Sequence, residues 1–182
     1  GMSGNRLEVN VHVITGAVTS AQNIIKSVNR AGLDVVDIIL QPLASSEAVL
    51  SAEERELGVA MVDLGGGTTD LAIFLDGSIR HTAVLPIGGQ NLTKDLAIGL
   101  LTSQTDAEKI KVQHGIARTE LVHGHQMVEV PSVGDRPPRQ FTRRDIAEIL
   151  EPRVEEMFDL VKREIVRAGY EGMLGAGVVI TG

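Results

Sequence analysis

A chain of 182 residues with 43% apolar and 23% charged side chains can bury a core, as one large or two small domains, and its composition is globular rather than disordered. A formal net charge of −7 and an aromatic content of 2% argue against nonspecific nucleic-acid binding, which draws on clustered Lys and Arg and on stacking rings. The lack of cysteine excludes disulfides, thiolate metal sites and a thiol nucleophile, and no apolar run approaches the length of a bilayer-spanning helix.

Gly1-Met2-Ser3-Gly4 lacks the regions of a signal peptide, and a glycine ahead of methionine reads as a tag remnant. Val11 to Gly16 predicts a short buried strand, with His12 as a hydrogen-bonded structural histidine inside it. Thr19-x-x-Gln22 has capping-box spacing and opens a helix with Ala21, Ile24, Ile25, Val28 and Ala31 on one face, stopped at Gly32. Val35 to Leu40 predicts a second strand, and Gln41-Pro42 starts a small-residue helix through Leu50. This β-α-β-α order implies a parallel sheet with a right-handed crossover.

Ser51 to Gly58 is polar and reads as a connector. A buried strand then runs from Val59 to Asp63, three glycines follow at Gly65, Gly66 and Gly67, and Thr68, Thr69 and Asp70 begin a strand that ends near Leu75. Asp76-Gly77 is a tight turn into a third strand, His81 to Leu85, giving an antiparallel meander. Glycines without Cβ atoms let backbone N–H groups approach an anion, Thr68 and Thr69 add hydroxyl donors, and Asp63 at the strand end is placed to hold a hydrated Mg²⁺. The competing reading is a hairpin that needs glycine only for its turn. Asp70 either touches the phosphate site or satisfies donors in the turn.

Pro86-Ile87-Gly88-Gly89-Gln90 precedes a helix with Leu92, Leu96, Leu100 and Leu101 as its apolar positions. Thr105-x-x-Glu108 predicts the start of the next helix, which ends near Gly115. Alternation over 116–122 and 127–130 suggests a hairpin with His123-Gly124-His125 at its exposed tip, where two ligands are too few for a metal site. The loop Val133 to Gln140 carries adjacent prolines, and Thr142-x-x-Asp145 caps a long helical pattern of Ile146, Ile149, Leu150, Val154, Met157, Phe158, Val161 and Ile165. Pro152 predicts a kink or a boundary within it. Gly177 to Gly182 is an apolar strand running into a glycine turn.

Asp63-Leu-Gly-Gly-Gly-Thr-Thr-Asp70 resembles the second phosphate loop of the actin, sugar-kinase and heat-shock-chaperone ATPase superfamily. Within that group, Gln41-Pro-Leu-Ala-Ser-Ser-Glu-Ala48 and Leu85-Pro-Ile-Gly-Gly89 resemble the bacterial FtsA family of actin-like cell-division proteins, and the resemblance runs from Val11 onward. It implies an α/β fold of the actin-like (ribonuclease H-like) ATPase kind, in part: residues 1–57 as the end of subdomain 1A, 58–88 and 152–182 as subdomain 2A, and 89–151 as subdomain 2B. It implies ATP and Mg²⁺ as cofactors. Asp63, Gly65, Gly66, Gly67, Thr68, Thr69, Gly88, Gly89, Glu108, Lys111 and Gly182 are then the nucleotide-binding residues, with Asp63 also facing the metal.

Glu108 and Lys111 match helix residues that contact the adenosine ribose and base; alternatively Glu108 completes a cap with Thr105 and Lys111 is a solvated charge. Gln41 matches the polar residue that orients the attacking water or the metal; a buried glutamine capping a strand end is the alternative. Arg143 and Arg144 fall where the family receives the acidic C-terminal tail of FtsZ, although such charges are often simply solvated. The resemblance further implies self-association into filaments, a position on the inner face of the cytoplasmic membrane at the division site through a C-terminal helix absent here, and weak or no ATPase activity. The first phosphate hairpin of the superfamily is nowhere in the chain, so an internal fragment that alone binds ATP poorly or not at all is expected. Two other classes compete: a pilus-assembly adaptor of the PilM kind, disfavoured by Gln41 to Ala48, and a sugar-kinase-like phosphotransferase, for which no acid is recognisable as a base.

Overall fold

The computed structural model describes residues 4, 6, 9, 11–134 and 136–182. Residues 1–3 of the expected tag remnant, and Asp135 in the proline loop, lie outside the described residues. The first regular element is helix α1, Val18–Arg30, whose N-cap Ala17 makes no side-chain bond, so Thr19-x-x-Gln22 does not cap it. The strands expected at 11–16 and 35–40 do not form: both stretches are irregular, and Val11, Val13, Val36 and Ile39 are exposed. A parallel strand needs a ladder neighbour and cover on both faces, and the four-stranded sheet of the described residues takes in neither stretch. His12 accordingly sits in exposed irregular backbone, its Nε2 3.2 Å from Thr82 Oγ1.

Helix α2, Gln41–Val49, carries Pro42 in its first turn, where a missing N–H breaks no helical bond. The expected connector contains a short helix, α3, Ala52–Leu57, closed by a capping box in which Ser51 and Glu54 exchange bonds of 3.2 and 2.8 Å. The meander forms as anticipated from β1 (Val59–Leu64), β2 (Thr69–Leu75) and β3 (Ser78–Leu85). Asp76 and Gly77 both have positive φ, 51° and 70°, the backbone of a two-residue turn whose twist suits an antiparallel pair.

The chain continues through α4 (Gly89–Gly99), α5 (Gln104–His114), a 3₁₀ turn at Thr119–Leu121, β4 (Met127–Val130), β5 (Arg139–Thr142), α6 (Arg143–Arg167) and β6 (Gly177–Thr181). Strand β6 pairs parallel to β1, so the main sheet has the order β3-β2-β1-β6. Alternation gives it two buried faces. Val59, Met61, Ala72 and Phe74 pack with Leu43 and Leu50 on the α2 side, while Ala60, Val62, Leu71 and Ile73 pack with Val161 and Ile165 of α6. Each fully buried Val, Leu, Ile, Met or Phe among them contributes about 2 kcal/mol relative to exposure.

A separate core joins Leu96 and Leu100 of α4, Ala107 and Ile110 of α5, Val128 and Val130 of β4, and Ile146 and Leu150 of α6. Leu101 lies outside it, 59% exposed with φ of 50°. The expected hairpin is corrected here: β4 pairs with β5, and 119–121 forms a turn instead of a strand. Glu151 holds that turn against α6 by accepting from the Thr119 N–H at 3.2 Å and hydroxyl at 2.8 Å. Pro152 does not end α6, which runs unbroken for 25 residues. The helix passes at that point from one core to the other, and Arg153 beside the proline ties it to α4 through a bidentate pair with Asp95 at 2.6 and 3.1 Å. Among the described residues no helix is long and apolar enough to cross a membrane.

Candidate functional site

Strand β1 delivers Asp63 to its C-terminal end, where the side chain is only 6% exposed. Its Oδ2 accepts from Ser45 Oγ at 3.0 Å and Gln41 Nε2 at 3.3 Å, both from α2. Gln41 is exposed, so it is not the buried strand cap of the alternative reading. Ser45 was missed in the sequence, although its i,i+4 spacing from Gln41 puts both on one helical face. Directly across the ladder from Asp63 stands Asp70, also buried. Burial, and then the neighbouring Asp63 charge, push the Asp70 carboxyl above its ordinary range.

The glycine turn between these acids is partly used by the protein itself. Gly65 N–H donates to Thr68 O at 2.9 Å, so the expected free amide at 65 is internal. Gly66, Gly67 and Thr68 are exposed, and their N–H groups have no acceptor among the described residues. Thr69 also departs from expectation: it is fully buried, and its hydroxyl donates to Ile87 O at 2.7 Å, because strand alternation turns it to the sheet face opposite the two acids.

Gly88 and Gly89 lock the N-terminus of α4 onto this turn. Gly89 N–H reaches Gly65 O at 3.0 Å and Gln90 N–H reaches Gly66 O at 2.8 Å. A Cβ on Gly88 would fall 2.6 Å from Gly65 O and 2.7 Å from Gly66 O, so only glycine permits the approach. The positive end of the α4 dipole therefore lies beside the turn. From there a groove of about 520 Å³ runs past Gln90, Thr93 and Lys94 to Glu108 and Lys111.

Glu108 and Lys111, three residues apart on α5, line that groove side by side as an ion pair of 2.8 Å. The cap alternative does not apply to Glu108: α5 is capped by Ser103, whose Oγ accepts from the Asp106 N–H at 3.1 Å. Lys111 is held, not freely solvated, donating to Gly89 O at 3.1 Å and Thr93 Oγ1 at 3.0 Å. Its ammonium, followed by the Thr93 hydroxyl, keeps the Glu108 carboxyl below its usual range. Gly182 lies beside Leu64 backbone, just past Thr181, which pairs with Asp63. The structure thus gathers Gln41, Asp63, Gly66, Gly67, Thr68, Gly88, Gly89 and Gly182 at one end of the sheet, with Glu108 and Lys111 along the groove leading from it.

The two arginines do not join this group. Arg143 is tied to His114 O at 3.1 Å and Gln126 Oε1 at 3.3 Å, stitching α6 to the end of α5 and the approach to β4, whereas Arg144 is 63% exposed and pairs with Glu148 of its own helix at 3.2 Å. His123 and His125 are exposed.

A family model described as cell division protein FtsA matches residues 60–179. Cell division protein FtsA of Pseudomonas aeruginosa is 54% identical over 182 residues, a match that takes in 100% of this chain and 44% of that protein. This chain therefore spans under half the length of that relative. Among solved structures, MreB5 of Spiroplasma citri bound to ADP superposes with a TM-score of 0.63 at 20% identity, over 91% of this chain and 54% of that one. The PilM-PilN type IV pilus biogenesis complex gives 0.59 at 18% identity, over 80% and 35%. At such identities the likeness shows the fold alone, a partial actin-like ATPase architecture, and the pilus-adaptor alternative has no more than that behind it.

Proposed function

The chain belongs to the FtsA family of cell-division proteins, and from that membership we propose that it forms one wall of the nucleotide cleft of an ATP-binding, actin-like division protein. The observation that carries this reading is the run of free amides at Gly66, Gly67 and Thr68, set between two buried carboxylates, with Gly66 at the edge of the groove of Glu108 and Lys111. Unpaired backbone N–H groups at a glycine turn favour an anion, whereas two acids facing each other favour a hydrated divalent cation, so the donor set fits both parts of MgATP. Bound MgATP supplies a polyphosphate together with the positive charge that the Asp63–Asp70 pair lacks.

In this reading the amides of Gly66 to Thr68 hold phosphate oxygens, and Gly88 keeps α4 close enough for its dipole to add to them. Asp63 and Asp70 hold the waters of the ion. Gln41, now on Asp63, is within reach of the same solvent and orients it. Glu108 and Lys111 take the ribose and base, and Gly182 begins the adenosine loop. The nucleotides of the MreB5 neighbours, ADP and AMPPNP, support a nucleotide as the ligand of this fold. Residues 58–88 and 152–182 serve as subdomain 2A, and 89–151 as subdomain 2B. Family membership also supports a whole protein that assembles with FtsZ, self-associates into filaments and works on the inner face of the cytoplasmic membrane. In that setting Arg144 is better presented to an acidic tail than Arg143.

Titration calorimetry of the full-length protein tests the cleft. Wild-type protein is expected to bind ATP in a Mg²⁺-dependent manner, and Asp63→Asn to bind it about tenfold more weakly, the effect of one charged contact. Undiminished affinity in Asp63→Asn would refute the assignment.

A further inference from the structure

Thr93 is a polar residue only 6% exposed, one turn into α4, and its hydroxyl has three polar neighbours. They are Gly89 O at 3.1 Å, Lys111 Nζ at 3.0 Å and the Glu108 carboxylate. A hydroxyl has one proton and two lone pairs, and an ammonium can only donate, so Lys111 takes a lone pair. The proton is left for Glu108 Oε2 or Gly89 O, and the charged oxygen is the stronger acceptor. One hydroxyl therefore orients the acid and the base of the pair together. Without it, Glu108 and Lys111 would be an i,i+3 ion pair with its acid half exposed, an arrangement that fixes geometry weakly.

Thr93 also sits on a helix already anchored to the glycine turn. Gly89 N–H donates to Gly65 O, and Gly89 O accepts a hydrogen bond from Lys111 Nζ. The first turn of α4 thus touches the phosphate-side loop at one end and the Glu108–Lys111 pair at the other, with Thr93 making the second contact. We propose that Thr93 is a positioning residue that sets the Glu108–Lys111 pair at a fixed distance from the Gly66–Thr68 amides, so that the cleft binds a nucleoside polyphosphate more tightly than a polyphosphate alone. This deepens the nucleotide reading and rests on it. The specificity it confers is for the nucleoside half of the ligand, since among the described residues the Thr93 hydroxyl bonds to Gly89, Glu108 and Lys111 and not to the glycine turn.

The test compares MgATP with Mg²⁺-tripolyphosphate on the full-length protein, as wild type, Thr93→Val and Thr93→Ser. Valine keeps the shape and removes both the proton and the lone pairs, whereas serine keeps the hydroxyl. Thr93→Val is expected to lose about tenfold in MgATP affinity and to change tripolyphosphate affinity by less than about twofold, with Thr93→Ser restoring MgATP binding. Equal loss for both ligands would mean a merely structural threonine and would overturn the proposal. So would unchanged MgATP binding by Thr93→Val, or failure of Thr93→Ser to recover it. If Thr93→Val does not fold, Thr93→Ala, which also lacks the hydroxyl, takes its place against the two ligands with the same expected outcomes. Wild-type protein that binds no MgATP would remove the nucleotide reading itself, and this inference with it; normal wild-type binding with an indifferent Thr93 removes only the inference.

Discussion

The main sheet treats buried carboxylates in opposite ways on its two faces. On the α6 side, Glu164 is 8% exposed and surrounded by cationic or proton-bearing partners: Arg167 at 2.8 and 2.7 Å, and His81 Nε2 at 2.8 Å. The Arg167 guanidinium, then His81, hold its carboxyl below the usual range. On the α2 side, the donors to Asp63 among the described residues are the neutral Gln41 and Ser45, and Asp70 sits opposite it with its carboxyl pushed up. Glu164 is balanced by the fold itself and serves to join β3 to α6. Neither aspartate makes an ion pair among the described residues, and two facing carboxyls without one suit a cation brought by a ligand.

Breaking the balanced site is expected to have the larger effect. Glu164→Ala in the full-length protein should lose about 2 kcal/mol, read as a lower urea midpoint, because a buried acceptor of charged hydrogen bonds is removed. No change in midpoint would mean that Glu164 is as dispensable as a surface pair. The cost should also be pH-dependent. A carboxyl held below its ordinary 4.5 contributes stability above that pH and loses it as pH falls through the lower folded value, so the penalty should fade in acid.

The smaller and opposite effect belongs to the other face. Asp70→Asn should stabilise the ligand-free protein by roughly 0.5 kcal/mol at neutral pH, the scale of like charges facing each other across a ladder. A carboxyl raised in the folded state makes stability fall as pH climbs from its ordinary 3.8 through the raised value, so the gain should be absent below 3.8 and complete above the raised value. Destabilisation by Asp70→Asn near pH 7 would mean that the aspartate is a structural residue like Glu164.

The same contrast explains what the sequence made legible. Meander, Asp-Gly turn and glycine loop depend on neighbours in the chain, so local chemistry specified them. The strands expected at 11–16 and 35–40 have real apolar patterns, but a parallel strand is a property of its neighbours, and among the described residues they have none. Thr105-x-x-Glu108 has capping-box spacing, but Ser103 takes the cap of α5; that choice leaves Glu108 free to face Thr93, a contact 15 residues apart that no spacing rule would find. Strand β4 pairs with the later β5, not with 116–122, because the two strands close over a core that α4, α5 and α6 complete. Pro152 stays inside a helix since packing on both sides of it outweighs one lost backbone bond. At the site, Gln41, Asp63 and the glycines were readable as a motif. The internal use of the Gly65 amide and the Thr69 hydroxyl was not, for both partners, Thr68 O and Ile87 O, are backbone atoms without a sequence signature.

The account stands on the glycine turn receiving phosphate, and backbone amide NMR shifts of the full-length protein during a MgATP titration report on that directly. Saturable shifts at Gly66, Gly67 and Thr68, larger than at the internally bonded Gly65 and dependent on Mg²⁺, are the predicted result. Saturation of ATP binding with those three amides unmoved would contradict it.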